Sequence, residues 1–260
     1  MDQNHSSKPV FKWVKRLLLA LISIWLIGSI ILFFVAPTLI FKIQDQKTTQ
    51  PEIAYQEVFL KNKAGERLEN WFIDNPATNE VILYLPGNIG RIPNYLKDLA
   101  ARHDVFSPNY PGFGKSEGKP SIDNTFETAE IAYQELLSRG YKPNQITIWG
   151  HSLGGSPSIY LGTRHPDIKK IVLMHTFSSI QSMCFGQYSI LCAFGGGFFN
   201  SAEMAKGLKV PVRQFHDKND NVVPYAEGQK LYKYIGSADK KFSDIAGDHS
   251  NFEIAETLKD

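Results

Sequence analysis

The stretch IWGHSLGGSP, residues Ile148–Pro157, decides the fold of this chain. Its central five residues, Gly150–Gly154, have the pattern Gly-X-Ser-X-Gly, in which Ser152 is a candidate nucleophile. The pattern alone is weak evidence, because chance supplies roughly 0.1 such matches in a chain of this length and composition. A serine at a nucleophile elbow also needs a buried strand before it, a helix after it, and an acid and a histidine later in the chain.

Both flanks of the pentapeptide meet this requirement. Ile146–Trp149 is apolar and predicts a strand, and Leu153–Arg164 predicts a helix. Gly150 and Gly154 leave room where strand and helix approach closely. The helix start places the Leu153 N–H, and the positive end of the helix dipole, beside Ser152.

The rest of the chain after residue 55 alternates strands and helices. Short continuous apolar runs such as Val81–Leu85 are typical of strands buried on both faces. This order predicts an α/β fold with a mostly parallel sheet and helices on both faces. The other predicted strands are Val58–Lys61, Arg67–Ile73, Asp104–Ser107, Ile171–Met174, Val210–Phe215 and Lys240–Ile245, and the other helices are Arg91–Arg102, Asn124–Arg139, one opened by Pro224, and Asn251–Leu258.

Residues 176–209 interrupt the alternation between two core strands. A connection of this length is usually functional, so we expect a lid insertion. Its aromatic side chains either line an apolar acyl site or merely cover the sheet edge: Phe177, Phe185, Tyr188, Phe194, Phe198 and Phe199. Cys184 and Cys192, the chain's two cysteines, either form a disulfide or remain buried thiols.

A base and an acid for Ser152 follow in the chain order that this kind of fold requires. His249 comes after the last predicted strand, and Ser250–Glu253 has a capping-box pattern that we expect to fix the backbone there. Between Ser152 and His249, the loop 217–223 offers Asp217 and Asp220. Asp220 is preferred because Asp217 is too close to the strand end.

Other histidines are assigned lesser roles. We expect His151 to point away from the nucleophile, and His175 and His216 to be structural or near the site. An oxyanion formed during acyl transfer needs two N–H donors. The loop Pro86–Gly90 makes the Asn88 N–H the best partner for that of Leu153.

The N-terminal part predicts a membrane anchor. Leu17–Val35 has no charged residue and, at about 1.5 Å per residue, spans roughly the 30 Å hydrocarbon core of a bilayer. The chain is therefore divided into a tail at 1–16, an anchor at 17–36, a stalk at 37–54 and a domain at 55–260. Basic residues before the anchor favour a cytoplasmic tail and a domain on the non-cytoplasmic side, which in a bacterium is the periplasmic face of the inner membrane. A cleaved signal peptide is the alternative, but its apolar region would be shorter.

Charge and cysteine content limit the classes of partner, metal and cofactor that the chain is expected to bind. Residues 1–35 carry a charge of +3, which leaves −1 for the remainder, so nothing points to nucleic acid. No Cys/His cluster has zinc spacing, and the glycines near Lys115 fit neither a phosphate loop nor a dinucleotide fingerprint. We expect no cofactor and no metal.

These motifs resemble the α/β-hydrolase superfamily over residues 55–260. The matches are LPGNIGR at 85–91, NYPGFGKSEG at 109–118, GHSLGG at 150–155, HTFSSI at 175–180, DNVVP at 220–224 and GDHSN at 247–251. The chain looks similar to small membrane-anchored serine hydrolases related to thioesterases that remove lipid modifications. One departure is Pro86-Gly87 where many relatives have His-Gly, which we expect to change the rigidity of the loop.

The resemblance implies a triad of Ser152, Asp220 and His249, with an oxyanion hole at the Asn88 and Leu153 amides. The expected function is a membrane-anchored serine hydrolase that cleaves small-molecule or lipid-like carboxylic esters or thioesters through an acyl-enzyme on Ser152. A peptidase or amidase of the same fold, and a non-catalytic binding protein, are the alternatives. The oligomeric state and the natural substrate are not encoded in these motifs.

Overall fold

The structure is a computed structural model that describes residues 8–41, 53–91, 93–183, 194 and 199–258. Eight strands form one sheet in the order β1-β2-β4-β3-β5-β6-β7-β8. Strands β1 and β2 pair antiparallel, as do β2 and β4, and all other pairs are parallel. The strands are β1 Gln56–Lys61, β2 Arg67–Ile73, β3 Val81–Leu85, β4 Asp104–Pro108, β5 Ile146–His151, β6 Lys170–Met174, β7 Val212–His216 and β8 Lys240–Asp244.

Seven α-helices accompany the sheet in the described part of the chain. Their bounds are α1 Lys8–Ile40, α2 Pro93–Ala100, α3 Ile122–Ser138, α4 Gly155–Arg164, α5 Ser201–Ala205, α6 Tyr225–Tyr234 and α7 Ile254–Thr257. Short 3-10 turns occur at Pro143–Gln145, Ser152–Gly154 and Gln181–Met183. This is the α/β architecture with a mostly parallel sheet that the alternating pattern predicted, and it agrees with the fold that the family resemblance implied.

Side chains of the central strands alternate between two apolar layers. On β3, Val81, Leu83 and Leu85 pack on the face that also holds Leu136, Ile159 and Leu231 from α3, α4 and α6. Ile82 and Tyr84 pack on the opposite face with residues of α2 and α7. Every residue of β3 is buried, which explains why its sequence is a continuous apolar run rather than an alternating one.

A third apolar cluster lies at the carboxyl edge of the sheet, and we call it the edge cluster. It joins the end of α1 to the loops that follow several strands. Its buried members are Leu32, Ala36, Ile40, Phe41, Tyr110, Phe113, Leu153, Phe177, Ile180, Met183, Phe199 and Val223.

The N-terminal boundaries differ from those predicted. Helix α1 continues past residue 36 to Ile40 and contains Pro37, so residues 37–41 are not a stalk. Pro37 removes one backbone hydrogen bond, but the burial of Ile40 and Phe41 offsets that cost. Ile53, near the end of the predicted stalk, packs against the apolar cluster that contains Trp71 and Ile73, so this end of the stalk also contacts the domain. Residues 42–52 lie outside the described residues.

Several shorter expectations need correction. Residues 152–154 form a 3-10 turn before α4, and Pro224 is the N-cap of α6 rather than its first residue. The last helix begins at Ile254, three residues later than predicted, and the expected capping box at Ser250–Glu253 is not formed. The carboxylate of Asp248 instead accepts hydrogen bonds from the Ser250 and Asn251 N–H groups.

Candidate functional site

Ser152 lies at the tight turn between β5 and α4. Its φ is +54°, a left-handed backbone conformation that residues other than glycine rarely adopt. Gly150 and Gly154 lie on either side of this turn, and only glycine fits there because a Cβ at either position would have no room. At Gly154 a Cβ would overlap the Leu85 carbonyl oxygen, and at Gly150 it would overlap the Ser158 hydroxyl. The close approach predicted for these two glycines is therefore present.

Three loops at the carboxyl edge bring Ser152, His249 and Asp220 together. Neighbouring parallel strands end at the same edge of a sheet, which is where ligands bind in open α/β folds. His249 Nε2 lies 3.0 Å from Ser152 Oγ, and His249 Nδ1 lies 2.8 Å from Asp220 Oδ2. All three residues are buried. With the Nδ1 proton donated to Asp220, Nε2 is free to accept the proton of the serine hydroxyl.

The Asp220 carboxylate is held from two directions. Its Oδ1 accepts hydrogen bonds from the Val222 and Val223 N–H groups, each at 2.8 Å. Burial alone would raise the pKa of this carboxyl, but hydrogen bonds from His216 and His249 outweigh burial and hold the pKa below its usual range. The group therefore stays ionised at neutral pH, as an acid that orients an imidazole must.

Asp217, the acid that was passed over, has a different role in the same loop. Its Oδ1 accepts a hydrogen bond from the Asn219 N–H, and its carbonyl accepts one from the Asp220 N–H. These contacts shape the turn that delivers Asp220 to His249.

Three further histidines surround His249, and one of them, His151, has a larger role than its sequence position predicted. His151 Nε2 donates a hydrogen bond of 2.8 Å to the His249 carbonyl, so His151 supports the histidine loop instead of pointing away from the site. His216 Nε2 donates to the Val223 carbonyl at 2.9 Å and lies 3.4 Å from Asp220 Oδ2. His175 has a ring centroid 5.5 Å from that of His249. The near-site positions expected for His175 and His216 are therefore present.

Burial keeps two of these imidazoles neutral. It lowers the pKa of His175 to about 3, with a smaller contribution from His216, and it lowers the pKa of His151 well below its usual value. Both ring nitrogens of His175 lack a hydrogen-bond partner within the described residues, and its φ of +50° is also left-handed. Nitrogens of His151, His175 and His249 lie within 4.8 Å of one another, a spacing that a metal ion could bridge. Both His249 nitrogens already form hydrogen bonds, to Asp220 and to Ser152, so a metal ion bound there would have to displace one of these contacts.

Ser152 opens into a small cavity that we call the serine pocket. It has room for about one water molecule beyond the side chains. Asn88 and Leu153, whose N–H groups were predicted to bind an oxyanion, both line it. The lining residues are Ile40, Asn88, Ser152, Leu153, Phe177, Ile180, Met183, Val222 and Val223.

The loop that carries Asn88 is fixed at both ends. At its start, the Tyr110 hydroxyl donates to the Pro86 carbonyl at 3.1 Å, and a bridge pairs Gly87 with Gly90. At its end, the buried Arg91 guanidinium forms an ion pair of 2.9 Å with Glu69 and lies 3.6 Å from the centre of the Trp71 ring. The loop therefore has little freedom to move relative to Ser152.

The start of the predicted lid is tied to α6. Glu227 Oε2 accepts hydrogen bonds from the hydroxyls of Ser178 and Ser182, each at 2.5 Å. Of the predicted lid aromatics, Phe177 lines the serine pocket, while Phe194 and Phe199 pack against α1 or its end. Phe185, Tyr188 and Phe198, as well as Cys184 and Cys192, lie outside the described residues.

Comparisons with known proteins agree with this architecture. Residues 80–189 match a family model described as the alpha/beta hydrolase fold. The chain is 26% identical over 218 residues to mouse alpha/beta hydrolase domain-containing protein 17C, covering 81% of this chain and 67% of that protein. It is 28% identical over 203 residues to protein bem46 of Schizosaccharomyces pombe, covering 72% of this chain and 68% of that protein. The chain thus spans about two thirds of the length of each of these two relatives.

Among solved structures, the chain is similar to an esterase from Pyrococcus furiosus. The TM-score is 0.61 at 17% identity, and the superposition covers 80% of this chain and 91% of the esterase. At that identity the likeness concerns the fold alone.

Proposed function

We infer that the chain belongs to the α/β-hydrolase superfamily, and we propose that it is a serine hydrolase of carboxylic esters or thioesters. The observation that carries the proposal is the pair of contacts from Ser152 Oγ to His249 and from His249 to Asp220, 3.0 and 2.8 Å long. A buried serine on a strained turn, aligned with an imidazole and an ionised acid, is the arrangement needed for acyl transfer.

The first half of the reaction forms an acyl-enzyme. His249 Nε2 accepts the Ser152 proton as Oγ attacks the carbonyl carbon, and the Asp220 carboxylate stabilises the resulting imidazolium. The tetrahedral oxyanion accepts hydrogen bonds from the backbone N–H groups of Leu153 and Asn88. His249 then donates its proton to the departing alcohol or thiol, and the acyl group stays on Ser152.

Water completes the cycle. It loses a proton to His249 as it attacks the acyl ester, and the second tetrahedral intermediate releases the acid and restores the Ser152 hydroxyl. No step requires a cofactor, since the nucleophile, the base and the oxyanion donors all come from the chain itself.

We also assign α1 as a membrane anchor. It is long and apolar enough to cross a bilayer, a criterion that a signal sequence also meets. Burial of Ile40 and Phe41 in the domain favours the anchor, because cleavage within α1 would remove part of the edge cluster. Basic residues before the helix favour a catalytic domain on the non-cytoplasmic side. The anchor is tested by recovery of the protein in the carbonate-washed membrane fraction. The side of the membrane is tested by digestion of the domain with protease added to spheroplasts.

A fluorophosphonate probe tests the catalytic proposal. We expect the full chain in detergent to be labelled, and the Ser152→Ala variant to remain unlabelled while keeping its circular dichroism spectrum. p-Nitrophenyl esters, thioesters and anilides of matched acyl groups then separate esterase from thioesterase and amidase activity. A folded wild-type protein that is not labelled and cleaves none of these substrates would instead be a non-catalytic binding protein.

A further inference from the structure

The last turns of α1 present one face to the domain and the other to the outside. Leu32, Ala36 and Ile40 recur every four residues and are buried in the edge cluster. Between them, Phe33 and Phe34 are 68% and 73% exposed. The end of this helix is therefore a structural part of the domain and not a flexible tether.

Ile40 lines the pocket into which Ser152 opens. Its side chain is 2% exposed and lines the serine pocket together with Ser152 and Leu153. Its carbonyl accepts a hydrogen bond of 3.2 Å from Asn88 Nδ2. One residue of α1 thus contacts both the pocket and the loop that carries the predicted oxyanion donor.

Neighbouring contacts keep Ile40 in place. The Phe41 ring packs between Phe113 and Phe199 at centroid distances of 6.4 and 6.3 Å, each close to edge-to-face. Further up the helix, Gly28 lies against the Phe194 ring so closely that a Cβ would overlap it. These contacts hold the last turn of α1 between two segments of the domain.

We propose that Ile40 is the wall of the acyl-binding pocket and sets the longest acyl chain that the site accepts. The proposal rests on the ester hydrolysis proposed above and adds the residue that determines its specificity. The pocket beside Ser152 is mostly apolar, since Phe177, Ile180 and Met183 line it together with Ile40, so it suits the hydrocarbon part of an acyl group. Its small free volume limits that group to a short chain while Ile40 is in place.

The test compares two adjacent α1 residues in the full-length protein in detergent. Ile40→Ala shortens the pocket wall, whereas Leu39→Ala changes a residue that is 37% exposed and outside the pocket. For each variant, kcat/KM is measured with p-nitrophenyl acetate, butyrate and octanoate. Since one methylene in an apolar pocket changes discrimination by about 10-fold or more, we expect Ile40→Ala to raise the butyrate-to-acetate ratio about 10-fold. Leu39→Ala is expected to keep the wild-type ratio.

Two further arms make the outcome decisive. Ile40→Phe enlarges the wall and is expected to lower the butyrate-to-acetate ratio, and Ile40→Val provides a milder shortening should Ile40→Ala fail to fold. An unchanged butyrate-to-acetate ratio in the folded Ile40 variants, or an equal loss of kcat/KM with all three esters, overturns the assignment of Ile40. The hydrolase proposal itself still holds in that case if fluorophosphonate labelling depends on Ser152. Absence of that labelling in the wild type overturns both.

Discussion

The buried, neutral His175 makes the stability of this protein depend on pH in a way that one substitution can isolate. Burial lowers its folded-state pKa to about 3, whereas an exposed histidine titrates near 6.5. Below about pH 6.5 the unfolded chain therefore binds a proton that the folded chain does not, and stability falls as the solution is acidified. The loss continues until the pH approaches about 3, where the folded state also takes up the proton.

The size of the effect follows from the two pKa values. At pH 5 the solution is about 1.5 units below the unfolded pKa and well above the folded one, and each unit corresponds to about 1.4 kcal/mol. Stability should therefore fall by about 2 kcal/mol between pH 7 and pH 5 through His175 alone. His151, whose pKa is also lowered by burial, adds to the wild-type loss over the same interval.

The assay is urea unfolding of the full chain in detergent at pH 7 and pH 5, followed by tryptophan fluorescence. His175→Asn is suitable because asparagine tolerates the left-handed backbone found there and does not titrate in this range. We expect the variant to lose about 2 kcal/mol less than wild type between the two pH values, whatever its absolute stability. The neighbouring buried Thr176→Val is the matched control and should behave as wild type. Equal losses in His175→Asn and wild type would refute the reasoning.

Three other perturbations test the site and its supports. Asp220→Asn should lower kcat for a p-nitrophenyl ester by about 10⁴-fold, because the amide favours the wrong tautomer of the histidine, and a loss below 10-fold in steady-state assays would exclude Asp220 as the orienting acid. Arg91→Met should destabilise the domain by about 3–5 kcal/mol, because it leaves the buried Glu69 carboxylate without its ion-pair partner. Urea titrations should show that the double variant Arg91→Met, Glu69→Gln recovers part of that loss. Gly154→Ala should abolish fluorophosphonate labelling, because the new methyl group would overlap the Leu85 carbonyl, and full labelling would contradict the packing of the elbow.

Local sequence patterns predicted the strand–turn–helix unit and the order of the loops well. Buried parallel strands carry continuous apolar runs, so β3, β5 and β6 are visible without a structure. Once those strands are placed, topology brings the loops after β5, β7 and β8 to one edge. The meeting of Ser152, Asp220 and His249 was predictable for that reason, whereas their chemical roles remain to be tested.

Contacts between distant segments were not predictable in the same way. Ser250–Glu253 looked like a capping box, but the Ser250 N–H, which Glu253 would accept in such a box, donates to Asp248 instead. The seating of Ile40 against residues more than 100 positions later has no local signal, because an apolar helix looks the same whether lipid or protein covers its last turn. His151 was misjudged because its partner is a backbone carbonyl of another loop.

The edge cluster also has a consequence for how the protein is made. The buried face at the end of α1 continues to Phe41, the residue after the helix, yet one of its partners, Val223, is translated about 180 residues later. At about 5–20 residues per second, ribosomes need roughly 10–40 seconds to cover that distance. Throughout this interval the end of α1 lacks part of the surface that will cover it. The closing of the cluster is therefore a late step of maturation.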